Sequence, residues 1–481
     1  MAFLDSTVVN IAIPTIQTKL NATITGIQWI VNGYTLMLSS LILISGALGD
    51  RFGRKRVFSI GIGVFITTSF LCSIAQTITQ LEIFRALQGI GGAMMVPGSL
   101  SIINIAFEEK VRGRAIGLWS GFAGGVAALG PLVGGWLVQT LGWPAIFYIN
   151  IPLGLIALLI TAKYVPETRN HESTKIDLMG TILIFLSLLG VCYGLISVSD
   201  LGWGNPAIIA SLVIGVLAFI SFIIVEKKVK EPLVPFGIFK SSLVTGANLA
   251  TLFLYFALSG VIFFLVLNFQ QVQHYSPIFA GLGMLPTVLL ITFLSGTGGT
   301  IADKIGPRLP MILGPLIVSV GMASLILPGK NANYFIQFLP GLVLFGLGMS
   351  LVIAPLTKSA LAVDEKYSGA ASGVNNAVAR VAGLLAVALL GVIVLSVFKA
   401  DLAKKIDTSV MQPSQKQAIM VQQNKLGGIE MPANFTPEAK MTAQTDVEDS
   451  FIHGFRWAMA INALLAFTSA VISFFTIKNK K

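Results

Sequence analysis

Polar residues are sparse along this chain and fall in short clusters. Between the clusters run apolar stretches near 2–18, 29–49, 56–76, 80–106, 113–138, 143–164, 177–198, 206–225, 243–268, 277–302, 309–327, 333–357, 369–398 and 452–477. A bilayer core about 30 Å thick takes roughly 20 apolar residues per helix, so the pattern predicts fourteen membrane-spanning helices. The runs are too long for strands and do not alternate. One long polar stretch, 399–451, precedes the last span. It is expected to form a mobile or partly helical external flap, either a tolerated insertion or an element of substrate release. The first run is short, since seventeen residues at helical rise reach only about 26 Å. Either the native chain starts upstream of Met1, or this helix is short and Asp5 lies near the surface. No cleavable signal-peptide pattern precedes it.

Of 481 residues, 54% are hydrophobic and 11% charged, against roughly 25% charged in soluble proteins. That excludes a soluble enzyme, a disordered chain and a disulfide scaffold. Cys72 and Cys192 sit inside apolar runs and read as free buried thiols. His171, His274 and His453 are too scattered for a metal site, and no cofactor is expected. No G-x-x-x-x-G-K-[ST] phosphate loop occurs, so any energy the protein uses would come from an ion gradient or from a separate chain.

The net charge of +11 is placed rather than spread. Loops after even-numbered spans hold clusters such as Arg51, Arg54, Lys55 and Arg56, then Lys110, Arg112 and Arg114, then Lys227, Lys228 and Lys230. Short loops after odd-numbered spans hold only Lys19 and Lys330. By the positive-inside rule, the even loops and both termini face the cytoplasm. The charge is thus a topology signal, and nucleic acid is not an expected partner; the lipid bilayer is.

The chain echoes itself. GALGDRFGRK at 46–55 matches GTIADKIGPR at 299–308 through Gly46/Gly299, Asp50/Asp303 and Gly53/Gly306. QGIGG at 88–92 matches FGLGM at 345–349, and RGRAIG at 112–117 matches SGAASG at 368–373. The offsets stay between 253 and 257 residues. An even number of helices separates the copies, so they share an orientation, as in a parallel repeat.

These motifs resemble a known family. GALGDRFGRK between spans 2 and 3 resembles the signature loop of the major facilitator superfamily, and RALQGIGG from Arg85 resembles its second motif. GPLVGG from Gly130 resembles the motif of its antiporters. LDSTVVNIAIP at 4–14 and WPAIFYINIPLG at 143–154 are similar to the fourteen-helix drug:proton antiporters of the EmrB/QacA type. The resemblance covers the whole chain. It implies an all-α polytopic membrane protein with the major facilitator fold. Two six-helix bundles, 1–165 and 243–481, form a parallel pseudo-twofold repeat, with two inserted central helices in 166–242. It further implies a proton-coupled multidrug efflux transporter of the cytoplasmic membrane that exports amphipathic small molecules by alternating access. In a Gram-negative host, a periplasmic adaptor and an outer-membrane channel would complete the path. An exporter of one metabolite or siderophore would use the same scaffold. A membrane enzyme or a non-transport sensor fits less well, since no paired acids or metal cluster mark one face.

Residue roles follow in the same terms. Asp50, with Gly46, Arg51, Gly53, Arg54, Asp303 and Arg308, is expected to form a cytoplasmic latch against the opposite half; otherwise the loop only sets topology. Arg85, with Glu82 one turn before it, is expected to couple proton and substrate movement. The bland alternative is an i, i+3 Glu82–Arg85 pair or a snorkelling arginine. Asp5 is the expected proton carrier. Gly130, Pro131, Gly134 and Gly135 are expected to bend span 5 against a neighbour, or simply to pack closely. Gln88, Asn150, Tyr255, Asn375 and Arg380 are candidates for a substrate cavity. Arg380 would contact substrate, a first-half carboxylate or backbone carbonyls. Met94, Met95, Phe263, Phe264 and Phe269 read as cavity lining or as core. Asp5 and Glu82 balance Arg85 and Arg380, so the chain is expected to prefer neutral, zwitterionic, monocationic or anionic amphipaths over divalent cations.

Overall fold

The computed structural model describes residues 1–169, 177–229, 232–364 and 367–478, with a subset of side chains left out between 104 and 128. Lys110, Arg112, Arg114, His171 and Lys230, and most of the 112–117 echo, lie outside the described side chains. Among the described residues every regular element is a helix. In chain order they are α1 (Ala2–Lys19), α2 (Ile24–Phe52), α3 (Arg54–Ser73), α4 (Ile78–Ala106), α5 (Glu109–Leu141), α6 (Ala145–Tyr148), α7 (Asn150–Tyr164), α8 (Leu178–Leu201), α9 (Pro206–Glu226), α10 (Ser242–Gln271), α11 (Pro277–Ile305), α12 (Arg308–Ser324), α13 (Leu339–Ala360), α14 (Ser368–Thr408), α15 (Pro413–Met420) and α16 (Pro437–Thr476).

Local chemistry explains the breaks. Thr23, Thr77, Asp177, Asn205, Ser241 and Thr436 cap helix starts by accepting a backbone N–H within the first turn. Gly53 and Gly306, partners in the internal repeat, both take positive φ, at 111° and 87°. A side chain there is strained, so the same residue type turns the chain out of α2 and out of α11.

Each apolar run read from the sequence falls on a helix. Eleven described helices are long and apolar enough to cross a membrane; 129–141 and 308–324 are shorter apolar helices. The 399–451 stretch is partly helical, in line with one of its two expected forms, and continuous with the flanking helices. α14 continues to Thr408 and α16 starts at Pro437, so both helices project into it, with α15 between them. Its apolar residues explain the order: Ile419, Leu426, Phe435, Ala443 and Val447 are buried against the helix ends.

α2 and α3 both pack on α4, and α11 and α12 both pack on α13. α8 and α9 pack on each other through Gly190, Gly194 and Gly215, and α8 leans on α2 and α14. Cys72 and Cys192 are free and buried, as their apolar settings require.

The close helix pairs rest on glycines with backbone directly opposite. A Cβ on Gly91 of α4 would stand 2.7 Å from the Phe65 nitrogen, and one on its repeat partner Gly348 of α13 would stand 2.6 Å from the Gly314 carbonyl. Backbone cannot rotate away, so Gly91→Leu and Gly348→Leu should each cost about 1–3 kcal/mol of overpacking. Thermal unfolding of the detergent-solubilised protein should show a lowered Tm for both. Gly63→Leu, which meets nothing within 4 Å, is the control and should leave Tm unchanged.

Candidate functional site

Six elements of the first half place polar groups around one buried ion pair. Asp5 comes from the first turn of α1 and Arg85 from the third turn of α4. The Arg85 Nη1 donates to Asp5 Oδ2 at 2.5 Å, with both side chains almost wholly buried at 2% and 0% exposure. Asp5 Oδ1 accepts from Gln88 Nε2 at 3.1 Å and from Asn150 Nδ2 at 3.0 Å. Arg85 also donates to Gln88 Oε1 at 2.7 Å and to the Ile30 carbonyl of α2 at 3.3 Å. Asn150 is held by Ser69 of α3 at 3.1 Å, and the Ser69 hydroxyl donates to the Phe147 carbonyl. The guanidinium carbon stands 4.4 Å from the centre of the Tyr34 ring and 5.7 Å from that of Phe147. Ion pair, amides and aromatic faces together provide what a buried charge pair requires.

This geometry changes several sequence expectations. Asp5 is not near the surface; it is deep in the protein at the centre of the cluster. The Glu82–Arg85 pair does not form. Arg85 turns to Asp5, while Glu82 lies beside Ile78 and Gly26 at the α2–α4 contact, with no ion pair or hydrogen bond among the described residues. Gln88 and Asn150 are fully buried partners of Asp5 rather than lining of an open cavity. Phe263, Phe264 and Phe269 are buried core. Met95 is largely buried but borders an apolar cavity of about 410 Å³, along with Met1, Phe3, Phe58, Trp119 and Phe122; Met94 lies against Gly61.

Asn375 is half-buried and donates to Asn248 Oδ1 at 3.2 Å and Thr251 Oγ1 at 3.0 Å, tying α14 to α10. Tyr255 and Arg380 are partly exposed on the same two helices. The Arg380 Nε is buried without a hydrogen-bond partner.

The two repeat loops make pairs within their own halves. Arg54 holds Asp50 through Nε at 2.8 Å and Nη2 at 2.6 Å. Lys358 of α13 holds Asp303 at 2.5 Å, and Arg308 reaches the Phe474 carbonyl at 3.4 Å. The expected Asp50 link to the opposite half is therefore replaced, in this conformation, by the Asp50–Arg54 pair. Arg51 lies over the neighbouring Phe52 ring. Glu167, which the sequence reading passed over, caps the same loop: its carboxylate accepts the Lys55 N–H at 3.2 Å, and a Cβ on Gly53 would strike it. An acid just after an apolar run, followed by basic residues, was the available signal.

The halves meet at the other end. Gln28 Nε2 donates to the Val387 carbonyl of α14 at 2.5 Å, and Gln270 Nε2 to the Ile11 carbonyl of α1 at 2.9 Å. Gln17 donates to the Lys425 carbonyl and accepts from Gln271. The glycine-proline motif of α5 joins this contact. Gly130 and Gly134 face Thr7 and Val8 of α1, while Gly135 and the Pro131 carbonyl abut Pro277 and Gly281 of α11. α5 runs unbroken through Pro131. Toward the repeat loops the space opens: Gly46, Gly125, Gly296 and Gly369 have nothing within 4 Å of a Cβ. Two helical groups closed at one end and parted at the other form the framework of a membrane transporter.

The comparisons agree with that class. The chain belongs to the Major Facilitator Superfamily, whose family model matches residues 1–387. It is 31% identical over 482 residues to the tetracenomycin C resistance and export protein of Streptomyces glaucescens, covering 99% of this chain and 89% of that one. It is 36% identical over 401 residues to the puromycin resistance protein pur8 of Streptomyces alboniger, covering 82% and 79%. Its fold is similar to a crystal structure of a bacterial homolog to the human lysosomal transporter Spinster, inward-facing and unoccupied, with a TM-score of 0.69. That match has 18% identity and covers 99% and 94% of the two chains.

Breaking a buried pair costs more than removing both charges. Asp5→Asn or Arg85→Gln alone should therefore lower stability by about 3–5 kcal/mol. The double variant should recover part of the loss. Thermal unfolding of the three proteins measures this, and a double variant no better than the worse single one would show that the pair is not the stabilising unit.

Proposed function

We propose that this protein is a proton-coupled multidrug efflux transporter of the cytoplasmic membrane, with fourteen spans, both termini cytoplasmic and alternating access between the halves. The observation that carries the reading is the buried Asp5–Arg85 pair. A carboxylate that is the sole described ionic partner of a buried arginine is a chemical switch. Protonating it removes the attraction and leaves Arg85 a buried unpaired cation, which the conformation can keep only at high cost. A second conformation that hydrates or re-pairs Arg85 is then favoured, by as much as the two states differ in their interaction with the proton. α1 transmits the change, since it holds Asp5 and also meets α5, α10 and α11. With the basic loops in the cytoplasm, this conformation is closed outside and parted inside.

The relatives named for antibiotic resistance and export support efflux as the direction. The Asp50–Arg54 pair would exchange for an inter-half contact when the cytoplasmic side closes.

Dye efflux from cells lacking their own pumps, with and without a proton uncoupler, tests the reading. Efflux should occur and should stop with the uncoupler. Asp5→Asn and Arg85→Ala should reduce pH-driven efflux at least about a hundredfold, the scale of losing a proton-transfer group, when the rate is taken per molecule present in the membrane. Export by both variants at the unmodified rate would overturn the coupling assignment. Asp50→Asn should slow turnover, and an unchanged rate would confine that loop to a topological role.

A further inference from the structure

Arg380 is a second intramembrane arginine, and the structure gives it no acid. It stands well inside α14, twelve residues from the start of the helix. Among the described residues it makes no hydrogen bond or ion pair, and its Nε is buried with no acceptor. The groups around it are uncharged. α2 contributes Tyr34, whose hydroxyl is also buried without a partner, and α10 contributes Tyr255. Asn375, five residues earlier, is already committed to Asn248 and Thr251. The buried carboxylate of Asp5 is saturated by Arg85, Gln88 and Asn150. Glu82 is turned toward Gly26 at the α2–α4 contact. Asp5 and Arg85 cancel, so the junction of α2, α10 and α14 carries one positive charge with no described counter-charge.

An arginine cannot shed that charge. Holding it inside the membrane is expensive, and such residues pair with something or line a path. α2 and α14 belong to opposite halves and are already closed on each other further along, where Gln28 meets the Val387 carbonyl. Toward the repeat loops the same helix pair parts, beyond the contact of Leu43 with Gly373. Arg380 therefore stands between these two contacts of α2 with α14, about two turns from the Leu43–Gly373 contact.

We infer that Arg380, with Tyr34 and Tyr255 beside it, is a recognition site for the anionic group of the cargo: a carboxylate, sulfonate or phenolate on an amphipathic, aromatic-rich small molecule. The guanidinium supplies a planar fork of N–H donors for the anionic oxygens. Tyr255, partly exposed on α10, supplies flat apolar area for the attached ring system. A monocation would meet an uncompensated positive charge at the same place. The assignment rests on the efflux reading above for its biological sense, but its chemistry is testable by binding alone.

The test is isothermal titration of the purified full-length protein in lipid nanodiscs, with empty nanodiscs as the blank. Three ring-matched probes are used: naphthalene-2-sulfonate, naphthalene-2-sulfonamide and trimethyl(2-naphthyl)ammonium. The sulfonate should bind the wild-type protein more tightly than either of the others. Arg380→Gln should weaken the sulfonate at least about tenfold, the size of one charge-assisted hydrogen-bonded contact, and leave the sulfonamide within about twofold. Arg380→Lys keeps the charge and should retain most of the preference for the sulfonate, which separates recognition from a folding defect. The proposal is overturned if the wild-type protein shows no preference for the sulfonate. It is equally overturned if Arg380→Gln weakens all three probes alike, or if Arg380→Lys loses the preference as fully as Arg380→Gln. Sulfonate binding through Arg380 in a protein without uncoupler-sensitive efflux would sustain the site and sink the transport reading. Efflux with no Arg380-dependent preference would do the reverse.

Discussion

A charge pair that the membrane interior can scarcely tolerate organises the first half of this molecule. Arg85 and Asp5 are each too costly to bury alone, and their partners are drawn from α1, α2, α3, α4 and α7. The network explains residues that otherwise look misplaced in apolar helices: Gln88, Asn150 and Ser69 are there to complete the hydrogen-bonding of two ions. It also explains why the glycines beside it are small. Gly89 lets α4 lie against the Tyr34 carbonyl of α2, and that approach brings the Tyr34 ring over the guanidinium. Packing and electrostatics are one design here, because the close approach of helices is what removes water from the pair.

Much of the scaffold was readable before any coordinates, because a bilayer leaves few options. Apolar run lengths located the helices, and the repeated Gly53 and Gly306 marked two equivalent turns that the structure makes with positive φ. The candidate site was legible only in part, and distance along the chain explains why. Asp5, Arg85 and Asn150 each stood out as polar residues in apolar runs, but 80 and 145 residues separate Asp5 from its two partners. The local pairing of Glu82 with Arg85 at i, i+3 was the cheaper reading, and it failed because helix rotation, set by packing, turns Arg85 toward α1. Tyr34 and Ser69 carried no signal at all: a tyrosine or serine in an apolar helix is common, and only the third dimension puts them against an ion. The polar 399–451 stretch was legible only as mobile or partly helical, and the structure has the helical form. Its composition resembles a flap, yet its scattered apolar residues are spaced to be buried by helices that continue out of the membrane run.

The two arginines differ in a way that composition conceals. Counting charges in apolar runs gives two acids and two bases, a balanced interior. The structure separates them into a satisfied pair, an acid at a helix contact and a cation between the halves. A transporter needs both kinds of group in different places. The coupling ion has to meet a pair whose two states differ sharply in energy, which demands full burial and saturation. The cargo has to meet a group that is held but unspent, which demands a gap in the hydrogen-bonding. Asp5 and Arg85 fit the first description and Arg380 the second.

Their spacing also suits a linked response. Tyr34 lies against Arg85 on α2, and α2 packs on α14, the helix of Arg380, so the two sites lie along one helix contact. An anion at Arg380 would lower the local potential that Arg85 and Asp5 experience, and a proton on Asp5 would raise it at Arg380. By linkage, each changes the other's affinity by the same factor. The sign is positive: an anion favours the protonated carboxyl, and the proton favours the bound anion. In an exchanger the two must instead be taken up on opposite sides. The conformational change between halves would have to reverse this local attraction, by moving α2 relative to α14. On the proposed exchange reading, that requirement would put the moving joint at the α2–α14 contact, where Gln28 donates to the Val387 carbonyl.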